Sequence, residues 1–170
     1  MSNMSLPDAE IVFAVLAEKM RANVQGEIAM IGIRTGGVWL AERLHSMLGI
    51  RQPLGILSVS FYRDDFDRIG LHAQKKPSEI PFDVNGAHIV LVDDVLFTGR
   101  TIRAAINELF DYGRPASISL AALVDRGGRE LPIEAQYVGI EFPLPADKML
   151  EVKQERGRLS FHVYDKSPAE

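Results

Sequence analysis

Ile89-Val90-Leu91-Val92-Asp93-Asp94-Val95-Leu96-Phe97-Thr98-Gly99-Arg100-Thr101 is the stretch on which the fold is decided. Its four leading apolar residues, mostly β-branched, have the makeup of a strand buried on both faces, as in a parallel sheet. Two acids end that run. A short polar turn with Thr98, Gly99, Arg100 and Thr101 feeds a segment in which Ile102, Ile106, Leu109 and Phe110 keep a helical period. The order is strand, acidic pair, phosphate-type turn, helix.

Each part has a physical task. A turn that opens a helix presents unpaired backbone N–H groups and the positive end of the helix dipole, so an anion is stabilised there without a dedicated cation. Gly99 lets the backbone approach it, Thr98 and Thr101 add hydroxyls, and Arg100 adds charge. Asp93 and Asp94 at the strand's carboxyl end would repel a bare phosphate. They need sugar hydroxyls, a Mg2+ ion, or both. A phosphorylated sugar satisfies all of these groups. The acids alone would equally suit a response-regulator receiver domain, an aspartate-nucleophile phosphatase or a solvated loop.

Working outward, Ser5 and Asp8 are placed to form a capping box with Pro7 in the first turn, and Val12, Val15, Leu16 and Met20 follow as a helical stripe. Ile28 to Ile33 reads as a first buried strand. It runs into Arg34-Thr35-Gly36-Gly37 and a helix with Leu40, Leu44, Met47 and Leu48 on one side, a second strand-to-helix turn suited to phosphate. Ile56 to Tyr62 reads as the next strand. Arg63 to Pro81 is polar, carries Lys75 and Lys76 and is broken by Gly70, Pro77 and Pro81. A stretch of about twenty residues without periodicity inside a compact domain reads as a lid over a reacting ligand, with a solvated hairpin as the alternative.

Gly113 stops the helix after the central motif and Pro115 prevents its continuation. Ala116 to Val124 makes another buried strand, ending in Asp125-Arg126-Gly127-Gly128-Arg129-Glu130, and Tyr137 to Ile140 a further short one. Met149 to Lys153 and Leu159 to Tyr164 flank polar residues as an antiparallel hairpin. Strands alternating with helical segments imply a parallel α/β sheet with right-handed crossovers, whose ligands lie outside the carboxyl ends of the strands. The strand ends at Arg34, Asp93 and Asp125 would then face one crevice.

The 170 residues are one domain by size, and a chain 46% hydrophobic and 25% charged is ordinary for a globular protein. A formal net charge of −4 gives no generic attraction to nucleic acid. With no cysteine, disulfides and thiolate metal sites are excluded. The four histidines, His45, His72, His88 and His162, lack metal-ligand spacing and read as structural or surface residues. The first residues lack a basic region followed by an apolar core, and no apolar run reaches the roughly 18 residues of a membrane span, so a cytoplasmic address is expected.

The central string resembles the phosphoribosyl-diphosphate motif of type I phosphoribosyltransferases. Gly32 to Thr35, Tyr62 to Asp65, Asp111 to Pro115, Val124 to Gly127 and Glu130 to Ile133 occur in matching order in the bifunctional pyrimidine-operon regulator/uracil phosphoribosyltransferase (PyrR) family. The similarity runs from about Asp8 to about Tyr164. It implies the type I phosphoribosyltransferase fold, a central parallel sheet flanked by helices with a small hood from about residues 124–165 and a mobile lid at about residues 63–81. It also implies conversion of uracil and phosphoribosyl diphosphate to UMP and diphosphate with Mg2+, in a homodimer or higher homo-oligomer.

By position, the resemblance puts the 5-phosphate on Val95, Leu96, Phe97, Thr98, Gly99, Arg100 and Thr101, and the ribose hydroxyls on Asp93 and Asp94. The two aspartates, together with Arg34, are the catalytic candidates, and the same aspartates are the metal candidates, directly or through water. Arg34, Thr35 and Gly36 form the diphosphate loop, where a strained or cis peptide is implied. Arg63 and Asp64 match the lid. Val124, Asp125, Arg126, Val138 and Ile140 match the part of the hood that reads the base, largely through backbone groups.

The chain departs from relatives that bind messenger RNA. Arg126 and Arg129 resemble their Arg-bearing loop, but Gly36 stands where an Arg is common, Gly128 where a His is common, and Gln136 where an Asp is common. Residues 16–23 also match poorly. Enzymatic activity is therefore the primary expectation. An RNA-binding attenuator with weak activity and a purine phosphoribosyltransferase are the alternatives.

Overall fold

In the computed structural model, residues 5–59 and 77–167 are described. Helix α1 (Ala9–Asn23) starts where a carboxylate can hold an otherwise orphan amide: Asp8 is the N-cap and accepts from the Glu10 N–H at 2.8 Å. Asp8 is thus the cap itself rather than the fourth residue of a box begun by Ser5. Val12, Leu16 and Met20 are buried as the stripe requires, while Val15 is 40% exposed because it sits outside that 3.6-residue face.

Five parallel strands follow, β1 (Ala29–Ile33), β2 (Gly55–Leu57), β3 (His88–Leu96), β4 (Ser117–Asp125) and β5 (Tyr137–Glu141). They lie in the order β2-β1-β3-β4-β5. Helix α2 (Gly36–Met47) connects β1 to β2, and α3 (Arg100–Tyr112) connects β3 to β4. The expected strand over 56–62 is described only as β2 at its start; Ser60 to Tyr62 lie outside the described residues.

β3 is central, and its period-two side chains serve two cores. Val90 and Val92 pack with Phe13, Leu16, Leu40 and Leu44 of α1 and α2, whereas Ile89 and Leu91 pack with Ile102, Ala105 and Leu109 of α3. Burial on both faces is what its uninterrupted apolar run requires. β3 also continues through the acidic pair, since Val95 and Leu96 pair with Val124 and Asp125 of β4. In α3, Phe110 is 54% exposed, so that helix packs through Ile102, Ala105 and Leu109.

The connection from β4 to β5, residues 126–136, contains no helix; Ile133 and Ala135 close the α3-side core instead. β6 (Lys148–Glu155) and β7 (Arg158–Asp165) form the expected antiparallel hairpin, turned by Arg156 at φ 51° and Gly157 at φ 77°. Its Leu150, Val152, Leu159 and Phe161 join the core beneath α1 and α2. Glu10 ties the layer together, with Arg43 of α2 bonded to both its oxygens at 3.1 and 2.8 Å and the Leu159 N–H at 2.8 Å. Among the described residues no helix is long and apolar enough to cross a membrane.

Candidate active site

A sheet ordered 2-1-3-4-5 has its topological switch point between β1 and β3, where chains leave in opposite directions and open a crevice at the carboxyl edge. Pairing of β1 with β3 ends at Gly32 with Val92, one residue before the acidic pair. Arg34 to Gly37 and Asp93-Asp94 therefore meet at that crevice, although they are some sixty positions apart in sequence.

The approach is close enough to demand glycine. A methyl on Gly36 would strike the Asp94 carboxylate, with Cγ at 2.8 Å, and one on Gly37 would strike the Val92 carbonyl, with Asp93 Cα at 3.1 Å. The Arg34–Thr35 peptide is cis. The Arg34 N–H donates to the Leu57 carbonyl at 2.9 Å, and its guanidinium to the Pro77 carbonyl at 3.5 Å. Thr35 is the exposed N-cap of α2 and makes no side-chain capping bond. Asp93 is buried and accepts the Asp94 N–H at 2.9 Å; Asp94 accepts the Val95 N–H at 2.8 Å. Those bonds orient both carboxylates at the strand's end.

Of the stretch 95–101 that the resemblance gives to the 5-phosphate, only the later part is a turn. Val95 and Leu96 belong to the β3–β4 ladder, and Leu96 is buried in the core, because β3 runs on past the acids. The turn itself is Phe97 to Thr101. Gly99 has φ +94°, open to a residue without Cβ, and Thr98 Oγ1 accepts the Arg100 N–H at 3.1 Å. The first turns of α2 and α3 contain no acid, whereas an ordinary helix favours one there. Two positive helix ends thus border the acidic pair.

On the candidate base side most side chains are engaged with the protein itself. Val124 is a core residue. Arg126 is 2% exposed, lies 3.8 Å over the Phe97 ring and donates to the Lys148 and Pro145 carbonyls at 2.8 and 3.0 Å. Its burial lowers the guanidinium pKa. The Val138 carbonyl is taken by Lys19 Nζ at 2.8 Å because α1 lies tightly over β5, where a Gly139 methyl would stand 3.1 Å from the Val12 carbonyl. Ile140 remains half-buried.

Asp125 joins Arg129 at 2.5 Å and accepts the Gly127 N–H at 3.0 Å. Burial raises its pKa, but the Arg129 hydrogen bond and charge and the Gly127 amide outweigh it and leave the carboxyl below its usual range. The Arg126 and Arg129 guanidiniums of the loop likened to an RNA surface are thus engaged with the protein's own groups. Gly128, at φ +83°, packs on Phe97, and Gln136 bonds the Leu120 N–H at 2.8 Å.

Arg63 and Asp64 of the expected lid lie outside the described residues; its described end is anchored. Ser78 Oγ donates to Glu108 Oε1 of α3 at 2.7 Å and accepts the Ser58 N–H at 2.9 Å, while Glu79 and Ile56 exchange backbone bonds. Sequence reasoning missed Glu108, which reads as a solvent-facing helix position, whereas the double glycine at Gly36-Gly37 already marked the turn as one of close approach. Among the described residues no cluster of three or more His, Cys, Asp or Glu could hold a metal ion. Two carboxylates cannot supply the about six oxygens Mg2+ requires, so they fit an ion whose other ligands come from a phosphorylated substrate and water. A cleft of about 480 Å3 opens at the opposite edge of the sheet, between Met20, Val24, Met47 and Ile50, and holds none of these residues.

Residues 5–147 match the phosphoribosyl transferase domain family. The "Bifunctional protein PyrR" of Nitrosococcus oceani is 55% identical over 139 residues, 81% of this chain and 78% of that protein. Its namesake in Pseudomonas entomophila is 52% identical over 153 residues, 88% and 89% of the two. Among solved structures, a hypoxanthine-guanine phosphoribosyltransferase of Bacillus anthracis superposes with TM-score 0.65 at 20% identity over 82% of this chain and 83% of that one. The hypoxanthine phosphoribosyltransferase of Trypanosoma cruzi does so with TM-score 0.58 at 18% identity over 81% of each. These structures share the fold.

Proposed function

The chain belongs to the phosphoribosyl transferase domain family, among the relatives of the bifunctional PyrR proteins, and from that membership we propose that it is a uracil phosphoribosyltransferase that makes UMP and diphosphate from uracil and phosphoribosyl diphosphate. The observation that carries this is the contact of Gly36 with Asp94, which brings the loop for one end of the donor against the acids for its sugar. Thr98 to Thr101 hold the 5-phosphate, Asp93 and Asp94 the ribose hydroxyls, and Arg34 to Gly36 the diphosphate.

The chemistry follows from charge flow. A uracil nitrogen bonds to ribose C1 as the C1–O bond breaks and its electron pair leaves on diphosphate, and the proton the nitrogen gives up is taken by the departing diphosphate. Positive charge grows on the ribose ring beside Asp93 and Asp94, while negative charge grows on the leaving oxygens beside Arg34, the α2 amides and the positive end of α2. Asp93 and Asp94 would help to hold a Mg2+ ion brought in with the donor, which would add charge neutralisation at the diphosphate. No side-chain nucleophile is needed.

The word bifunctional in the relatives' name points to a second activity, for which the family resemblance implies a UMP-responsive RNA regulator. In this chain the Arg126 and Arg129 guanidiniums bond internal carbonyls and Asp125, which counts against them as RNA contacts. Incubation with Mg2+, phosphoribosyl diphosphate and uracil, hypoxanthine or guanine in turn tests the proposal. UMP is expected from uracil, with little from either purine; turnover of a purine but not uracil would reject the substrate assignment.

A further inference from the structure

The backbone of the phosphate turn faces one way because another loop holds its carbonyls. The Leu96 carbonyl accepts from the Arg126 N–H at 3.0 Å, that of Phe97 from Arg129 Nη1 at 2.8 Å, and that of Thr98 from the Glu130 and Leu131 N–H groups at 3.0 and 3.1 Å. The Gly99 carbonyl accepts the Arg103 N–H of α3 at 3.0 Å. Four consecutive carbonyls are therefore fixed by protein donors. An oxygen turned into an anion site repels the anion, whereas one bonded elsewhere leaves the neighbouring amides to face it.

Of these bonds only the one at Phe97 depends on a side chain. Arg129 is 25% exposed and each of its three guanidinium nitrogens makes a bond: Nε to the Ile133 carbonyl at 2.8 Å, Nη1 to Phe97, and Nη2 to Asp125 at 2.5 Å. Its planar fork spans the β4 end, the 126–133 loop and the turn, which a lysine, with one nitrogen, cannot do. We propose that Arg129 is a positioning residue for the 5-phosphate: it keeps the Phe97 carbonyl turned away from the turn and ties that turn to Asp125 on the base side. Without it the Phe97–Thr98 peptide loses its restraint and can direct its oxygen at the phosphate.

The proposal rests on the assignment of Thr98 to Thr101 as the 5-phosphate site. Its test is the ratio of UMP to uridine affinity, measured by titration calorimetry in the intact protein, with the thermal midpoint read alongside. The phosphate is the sole difference between the two ligands, so general loosening of the fold lowers both affinities and leaves the ratio. Arg129→Gln should reduce the ratio about tenfold or more, in line with a hydrogen bond to a charged group. Arg129→Lys should fall between wild type and Arg129→Gln, and serves as the measurement if Arg129→Gln does not fold. A wild-type ratio retained in the folded variants overturns the positioning role. A wild-type protein that binds neither ligand, or does not prefer UMP, instead overturns the functional assignment beneath it.

Discussion

Asp94 meets two demands at once: one oxygen accepts the Val95 amide, and the side chain fills the space a larger residue at position 36 would need. Asp94→Asn keeps the shape and removes charge beside a developing cation, so UMP formation is expected to fall by about a hundredfold or more, with little change in thermal midpoint. A full-rate Asn variant would remove the carboxylate from the chemistry. Gly36→Ala should cost about 1–3 kcal/mol through crowding and raise the KM for phosphoribosyl diphosphate, read by initial rates beside a denaturant titration. The glycine where relatives often carry Arg is thus fitted to this rotamer of Asp94, which an arginine would have to displace.

Elements are joined by a few partly buried polar groups. Glu10 binds α1 to α2 and β7, and Arg43 also lies 4.0 Å over Phe13. The Arg43 hydrogen bond is the chief reason its carboxyl titrates below the usual range; burial opposes this, while the Leu159 amide and the charges of Arg43 and Arg158 reinforce it. A carboxyl lowered in the folded state stabilises the fold above its unfolded pKa, and that contribution is lost as pH falls through the folded one. Glu10→Gln should therefore flatten the acid limb of stability below about pH 4 and cost about 1–2 kcal/mol at neutral pH, seen in thermal melts from pH 3 to 7. Ser78→Ala should similarly detach the Pro77–Ile80 strip from α3 at a cost of about 1 kcal/mol, measured by urea unfolding.

At the scale of the molecule, net charge and its placement matter together. A formal charge of −4 with Arg126 sealed between Phe97 and two carbonyls leaves that arginine to hold β6 and its preceding loop against the sheet. Arg126→Ala strands both carbonyls at about 1–3 kcal/mol each, so the thermal midpoint should drop by several degrees, read by a thermal melt. An unchanged midpoint would remove Arg126 from the bracing of β6. Purine phosphoribosyltransferases superpose on this sheet at about a fifth identity: the strand order and fold are shared, and the base each carries is decided elsewhere in the chain.

The local code was written in residues 89–101: a run apolar on every position must be buried on both faces, and Gly99 after a hydroxyl must open a helix with its amides exposed. From such patterns the parallel sheet, the hairpin and the acidic pair on the central strand were legible, since each depends on neighbours in sequence. Where β3 stopped was not, because its last residues are fixed by pairing with β4 rather than by their own composition. Nor was the inward turn of Arg126 and Arg129, or the Lys19 bond that closes the Val138 carbonyl. A charged side chain reads as solvent-facing until the fold brings it carbonyls to satisfy, and those carbonyls come from segments that meet only when the sheet is assembled.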